Sequence, residues 1–487
     1  MEEHRVKGTG QAESISNANY SIKAPGLVLK VKDHGQEMAV VRSESGIFSD
    51  GSWEKACSGG EVKPMRTFEI DIEDATQAAG KKRSDGSLEM TTAAPMVMYA
   101  PTNPRRQTAM LHEDESGQLR WVLPQPKAPD AEVEVFELPP VRAGKVHRGA
   151  ITKKIRRVVK VIAWVTDAVV GHLALNLVRK WEESHRPYGL LGYDNGQLGG
   201  TPNWDRIKEG KSLLLLHGTF STGEAAFDGM LKNQDFVNHL DSFYQGRVFA
   251  FNHPSLHVGP AGNIQRLHEL LPPEMRGQAV DVITHSRGGL VGRELCAQTA
   301  ENKGPGLQVD KAIFVAGPHR GTILTDKEHW MSLIDTYTNL LTSLPDNVVT
   351  ILLEVLISLV KIIGGATVDA LPGLQAMLPE GDYVKSLEQR SIGNTTAYTM
   401  SARYLPSGDG IVGLAKSLAL KVLLKGIFKE DSDMVVPTEG ALTLQEGSSL
   451  VVPAERQLLY ESDSMIHHVN FFNHERVNRQ LGDWLTN

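Results

Sequence analysis

The chain has 487 residues, 41% hydrophobic and 22% charged, an ordinary soluble globular composition with room for two or three domains and a large core. Its 51 Lys and Arg against 58 Asp and Glu give a formal net charge of −7, and no basic stripe with interleaved aromatics appears, which argues against a nucleic-acid partner. The two cysteines, Cys57 and Cys296, are far apart and give no disulfide framework; with the polar opening Met1-Glu-Glu-His-Arg5, which has no apolar signal region, they lead us to expect a cytoplasmic protein.

Residues 1–142 carry short alternating runs, Gly26–Lys32, Met38–Arg42, Thr67–Ile72 and Ala131–Phe136, separated by Gly, Asp, Ser and Pro turns. This pattern predicts a small β-sandwich or β-rich accessory domain without catalytic spacing, serving either as a partner- or substrate-recognition module, a regulatory protein partner among them, or as a structural cap. Residues 143–209 are expected to form a helical connector, with a long helix over Gly149–Glu183. It opens on Lys153-Lys-Ile-Arg-Arg157 and continues through the mostly apolar Val158–Val178. Basic residues before an apolar helix suit peripheral contact with an anionic membrane surface. The alternative is a buried packing helix, and the interrupting Lys160, Asp167, His172 and Asn176 argue against a spanning one.

From Gly210 the pattern changes. Lys211–Leu216 is a buried strand running into His217-Gly-Thr219-Phe220, the form of an oxyanion loop. Val280–Thr284 is another apolar strand. It breaks at His285-Ser286-Arg287-Gly288-Gly289 into a helix-like segment, as a nucleophile elbow does. A glycine is expected two positions before the serine, and Thr284 stands there instead. Ala312–Gly317 is a third strand, ending in Gly317-Pro-His-Arg-Gly321. Residues 322–390 then read as a helical cap or lid insertion, either mobile or permanently closed, whose most apolar part, Asn347–Val368, carries Glu354 and Lys361 on nearly one face. After the strand-like Thr395–Ser401 come two candidate acids: Asp409 in a Gly-Asp-Gly turn, and Asp433 beyond the helical run Ile411–Phe428. Two adjacent histidines, His467 and His468, are candidate bases.

Nucleophile, acid and base in that chain order resemble the α/β-hydrolase superfamily, in its lipase and esterase branch. The residues carrying the resemblance are His217–Phe220, Thr284–Gly289, Gly317–Gly321, Asp433-Met-Val-Val-Pro437 and His468-Val-Asn-Phe-Phe472. The resemblance implies an α/β fold, a mostly parallel sheet flanked by helices, over 210–487. It also implies that Ser286 attacks, His468 is the base (alternative His467), Asp433 is the acid (alternative Asp409), and the amides of Thr219 and Arg287 hold the oxyanion. His217, His285 and His319 are expected to pack or hydrogen-bond instead of reacting.

The expected activity is hydrolysis of carboxylic esters, most of all of lipids, through an acyl-enzyme. The same triad also serves thioesterases, peptidases and amidases, and the fold without catalysis serves a membrane- or protein-binding scaffold. No H-E-x-x-H, no clustered Cys/His spacing, no calcium loop and no phosphate loop is present, so neither metal nor cofactor is expected.

Overall fold

The computed structural model describes residues 2–36, 62–74, 80–82, 88–90, 95–103, 106–114, 117–126, 131–140, 155–165, 173–301, 306–325, 329–340, 356–357, 360, 371–404, 430–444 and 452–486. The chain divides into two compact units. Unit 1 comprises Met1–Val170, Ile334–Thr367 and Gly408–Leu420; unit 2 comprises Gly171–Leu333, Val368–Ser407 and Lys421–Asn487.

Unit 1 is built from strands β1 (Glu2–Val6), β2 (Glu13–Ser16), β3 (Tyr20–Lys23), β4 (Val28–Asp33), β5 (Val62–Asp74), β6 (Gly80–Lys82), β7 (Leu88–Met90), β8 (Met96–Pro101), β9 (Arg106–Glu113), β10 (Leu119–Val122), β11 (Val133–Leu138) and β12 (Ile155–Val165). They form an antiparallel sheet in the order β1-β4-β5-β12-β9-β10, a second in the order β11-β8-β3-β2, and the small hairpin β6-β7. Period-two alternation puts one face of each strand inside: Leu29 and Val31 on β4, Phe68, Ile70 and Ile72 on β5, and Met96 and Met98 on β8 share one apolar core.

The expected connector helix is corrected here. Ile155–Val165 is a strand, paired antiparallel with β5 on one side and β9 on the other. A short apolar run is ambiguous between helix and strand, and Val158-Val159-Lys160-Val161-Ile162 is rich in β-branched residues that favour the pleated, doubly paired position. Its arginines are used internally: Arg156 pairs with Asp71 and Glu69, and the guanidinium of Arg157 donates to the carbonyls of Pro139 and Pro140. Among the described residues of 143–209, helix is found at Leu173–His185 and in the single turn Trp204–Ile207.

β10 lies at the edge of its sheet, and side chains of unit 1 occupy its open backbone groups. Asn339 donates Nδ2–H to the Leu119 carbonyl at 2.8 Å and accepts the Leu119 amide at 2.9 Å. One turn earlier, Asp335 Oδ1 accepts the Trp121 amide at 2.8 Å, and burial pushes its carboxyl up to about 7. An edge strand with its ladder groups occupied in this way cannot recruit another strand.

Unit 2 contains the sheet β14-β13-β16-β15-β17-β18-β19-β20. Its strands are β13 (Gly189–Asp194), β14 (Gln197–Gly199), β15 (Ser212–Leu216), β16 (Val248–Asn252), β17 (Ala279–His285), β18 (Gln308–Val315), β19 (Thr396–Ala402) and β20 (Gln457–Tyr460). From β16 to β20 every pairing is parallel, whereas β13 runs antiparallel to β14 and β16. The sheet therefore begins before residue 210, the expected boundary.

Helices α1 (Leu173–His185), α2 (Gly223–Leu231), α3 (Gln234–Tyr244), α4 (Pro260–Leu270), α5 (Gly288–Ala300) and α6 (Glu475–Thr486) belong to the same unit. One face packs Leu213, Leu215 and Val248 against Phe227, Leu240 and Leu481 of α2, α3 and α6; the other packs Leu214, Leu216 and Phe249 against Ile264, Leu267, Val291 and Leu295 of α4 and α5. The central strands are apolar on both sides because helices cover both, as in parallel sheets generally.

Part of the expected cap is described. Residues 334–340 of the helix Trp330–Leu340 belong to unit 1, and 371–390 to unit 2. Most of Asn347–Val368, with Glu354 and Lys361, lies outside the described residues, as do Asp409 and Ile411–Phe428. Among the described residues no helix is long and apolar enough to cross a membrane.

Candidate active site

Three parallel strands, β15, β17 and β18, end side by side, and the loops leaving them meet at Ser286. β17 gives way directly to α5, so Ser286 takes a left-handed backbone with φ of 54° while its amide donates to the Val315 carbonyl at 2.9 Å. That conformation costs a non-glycine residue about 1–3 kcal/mol and persists only where neighbours enforce it. Close approach is what enforces it. A Cβ on Gly288 would stand 2.3 Å from the Leu216 carbonyl oxygen, and one on Gly218 would stand 2.6 Å from the Ser286 Cβ.

Ser286 Oγ lies 2.8 Å from His468 Nε2, and His468 Nδ1 lies 2.8 Å from Asp433 Oδ2. A carboxylate only accepts, so Nδ1 carries the proton, Nε2 is the acceptor, and the serine hydroxyl donates to it. Asp433 is fully buried; its Oδ1 accepts the amides of Val435 at 3.0 Å and Val436 at 2.8 Å, and its carbonyl accepts the His468 amide at 3.0 Å. Val435 and Val436, two and three residues after Asp433, thus fix the carboxylate through their backbone amides.

His467 and His468 go different ways. The His467 amide donates to Asn470 Oδ1, its ring meets the Tyr404 ring edge-on at 5.3 Å, and burial holds its imidazole down to about 4. His285 supports His468 from behind: its Nε2 lies 2.8 Å from the His468 carbonyl oxygen, and its ring lies 5.2 Å from that of His468. Burial keeps His285 neutral, down to about 3, so Nε2 is the protonated nitrogen and donates. His319 packs edge-on against Phe314 beneath Gly317, where a Cβ would stand 2.7 Å from its Nε2.

The loop after β15 is held from the other side. His217 accepts the His253 amide on Nε2 and stacks on the His253 ring at 4.1 Å. Its Nδ1 lies 2.9 Å from the Gly218 carbonyl oxygen, and burial holds the ring down to about 3. Phe220 has φ of 61°, and its amide donates to Ser255 Oγ at 3.2 Å. The amides of Thr219 and Arg287 take no place in the backbone hydrogen-bond pattern of the described residues. Thr219 is buried, with Oγ1 lying 3.9 Å from Met377 Sδ. The guanidinium of Arg287 is turned away into the protein, its Nε donating to the Gly373 carbonyl at 3.1 Å, and burial lowers it to about 10.

Residues 192–486 match the family model described as a domain of unknown function, DUF7379. The chain belongs to the DUF7379 family. No curated protein matches this DUF7379 chain. Solved structures similar to it include lipase 1 from Pelosinus fermentans, at 13% identity and a TM-score of 0.39 over 56% of this chain and 98% of that one. Phospholipase PlaB from Legionella pneumophila is similar at 16% identity and a TM-score of 0.31, over 50% of this chain and 49% of that one. A lipase-esterase related protein from Clostridium acetobutylicum is similar at 14% identity and a TM-score of 0.28, over 61% of this chain and 97% of that one.

Sequence reasoning passed over Glu182. Its carboxylate, on α1, is buried and receives the amides of Ser255, Leu256 and His257. Nothing in the sequence marks a side chain whose partners are backbone amides far along the chain. Among the described residues no three His, Cys, Asp or Glu are grouped to hold a metal ion.

Proposed function

We propose that this DUF7379 protein is a serine hydrolase of α/β-hydrolase type that cleaves carboxylic esters through an acyl-enzyme. The observation that carries the reading is the buried line of two 2.8 Å hydrogen bonds from Ser286 Oγ through His468 to Asp433. In this reading Ser286 Oγ attacks the ester carbonyl while His468 Nε2 takes its proton, and Asp433 stabilises the imidazolium. The carbonyl oxygen becomes an oxyanion held by the Thr219 and Arg287 amides, a contribution of about 3–4 kcal/mol per donor. Collapse expels the alcohol, which takes the proton back from His468. Water activated by the same nitrogen then splits the acyl-serine into acid and free enzyme.

Lipid esters are the proposed substrates. The buried Phe220 and Met377 adjoining Thr219 support a substrate with a hydrocarbon acyl group over a sugar or a charged peptide.

Labelling with a fluorescent fluorophosphonate tests the activated serine. Wild type is expected to label and Ser286→Ala is not; a folded wild type that stays unlabelled overturns the reading. Hydrolysis of soluble short-chain esters without any hydrolysis of phospholipid or glyceride vesicles would remove the lipid assignment and leave the esterase one.

A further inference from the structure

We infer that Glu182 is a positioning residue for the oxyanion loop, acting through Ser255; the inference rests on the serine-hydrolase reading of this site. Glu182 Oε1 accepts the Ser255 amide at 2.6 Å and the Leu256 amide at 2.9 Å, while Oε2 accepts the His257 amide at 2.8 Å and lies 2.6 Å from His257 Nδ1. Successive amides converging on one point form a concavity that binds an anion, and here the anion is a buried side chain of the same protein. The loop it organises is the one that leaves β16, next to β15.

Ser255 carries the effect onward. Its Oγ lies 3.4 Å from Glu182 Oε1 and receives the Phe220 amide at 3.2 Å. A carboxylate can only accept, so the hydroxyl proton points to Glu182 and a lone pair is left facing Phe220. Phe220 is held in the left-handed region, which Phe rarely adopts unaided, and it directly follows Thr219, whose amide the proposed mechanism uses. Ser255 also takes a close contact from the remote helix Pro372–Gln375: a Cβ on Gly373 would stand 2.0 Å from the Ser255 carbonyl oxygen, and the Gly373 amide donates to the Leu256 carbonyl at 2.8 Å. The line Glu182, Ser255, Phe220 therefore converts a fixed charge on α1 into the orientation of an amide that the transition state uses.

Glu182→Gln tests this, because its amide nitrogen presents a donor where the His257 amide already donates. With an activated p-nitrophenyl ester, kcat is expected to fall about tenfold or more while KM stays within about twofold, since misaimed oxyanion donors cost only the transition state. Affinity for a trifluoromethyl ketone, whose serine adduct bears the oxyanion, is expected to fall by the same factor. Ser255→Ala, which leaves the carboxylate and its backbone contacts in place, is expected to lower both quantities, and Ser255→Thr to restore them. A Glu182→Gln protein with wild-type kcat overturns the inference. If Glu182→Gln does not fold, a fully active Ser255→Ala overturns it instead. A wild type that neither labels with fluorophosphonate nor turns over the ester fails earlier, at the hydrolase reading itself.

Discussion

Gly292 on α5 faces Thr284 on β17: a Cβ built on Gly292 would stand 2.7 Å from the Thr284 Cγ2 methyl. Thr284 stands where the elbow pattern expects its first glycine, and the helix supplies a glycine instead at the point where the threonine side chain needs room. Gly292→Ala alone is expected to destabilise the protein by about 1–3 kcal/mol through overpacking. Thr284→Gly combined with Gly292→Ala is expected to recover at least ~1 kcal/mol of that loss, read as coupling in a double-mutant cycle of urea unfolding. Strict additivity of the two changes would show that the pair does not compensate.

Asp433→Asn preserves shape and removes the acceptor for His468 Nδ1–H. The asparagine oxygen stays with the Val435 and Val436 amides and its NH2 faces His468, so the imidazole must carry its proton on Nε2 and cannot accept from Ser286. Ester turnover is expected to drop about 10⁴-fold, the scale of the same change in a chymotrypsin-type triad, with little change in melting temperature. Turnover within tenfold of wild type would assign the acid elsewhere.

Gly218→Ala places a methyl 2.6 Å from the Ser286 Cβ and 3.0 Å from the His285 carbonyl oxygen. Only displacement of the loop or of Ser286 relieves that. Fluorophosphonate labelling is expected to slow at least about 100-fold, as misplacement by about 1 Å does to catalysis. Far-ultraviolet circular dichroism is expected to remain that of wild type, and unchanged labelling would refute the close packing of these two loops.

Burial holds His217 and His285 down to about 3 and His467 to about 4, and it pushes His253 and His319 well below the ordinary value of 6.5. In the unfolded chain these rings protonate near pH 6.5, so below that pH the unfolded state binds more protons. Their contribution to stability is complete above about pH 6.5 and is lost as pH falls towards the folded values. The urea midpoint is expected to drop steeply between pH 6.5 and 5. A flat midpoint over that interval would mean that the rings are solvated in solution.

Much of the site is legible because the chemistry constrains neighbouring residues in sequence. Ser286 announces itself by the strand-to-helix break and Gly288, and the adjacent His467 and His468 are told apart by Asn470, whose Oδ1 accepts the backbone amide of the first. Asp433 carries a subtler signal: the amides two and three residues after it, those of Val435 and Val436, are its own hydrogen-bond donors. Illegible parts are those whose partners are remote. Ile155–Val165 reads as part of a long, mostly apolar helix until β5 and β9 flank it, and Glu182 reads as one more polar residue of α1 until the Ser255–His257 loop closes on it. The place of Asn339 beside Leu119 is invisible for the same reason.

The clamp of Asp335 and Asn339 on β10 sets an order of events during synthesis. Domains generally fold as they leave the ribosome, the N-terminal one first. Unit 1 cannot do so to completion, because the side chains that finish its edge strand arrive only after β13 to β18 of unit 2 have been translated. Until then a nascent sheet waits with β10 open, and the chain least able to tolerate delay is one truncated or stalled between residues 165 and 334.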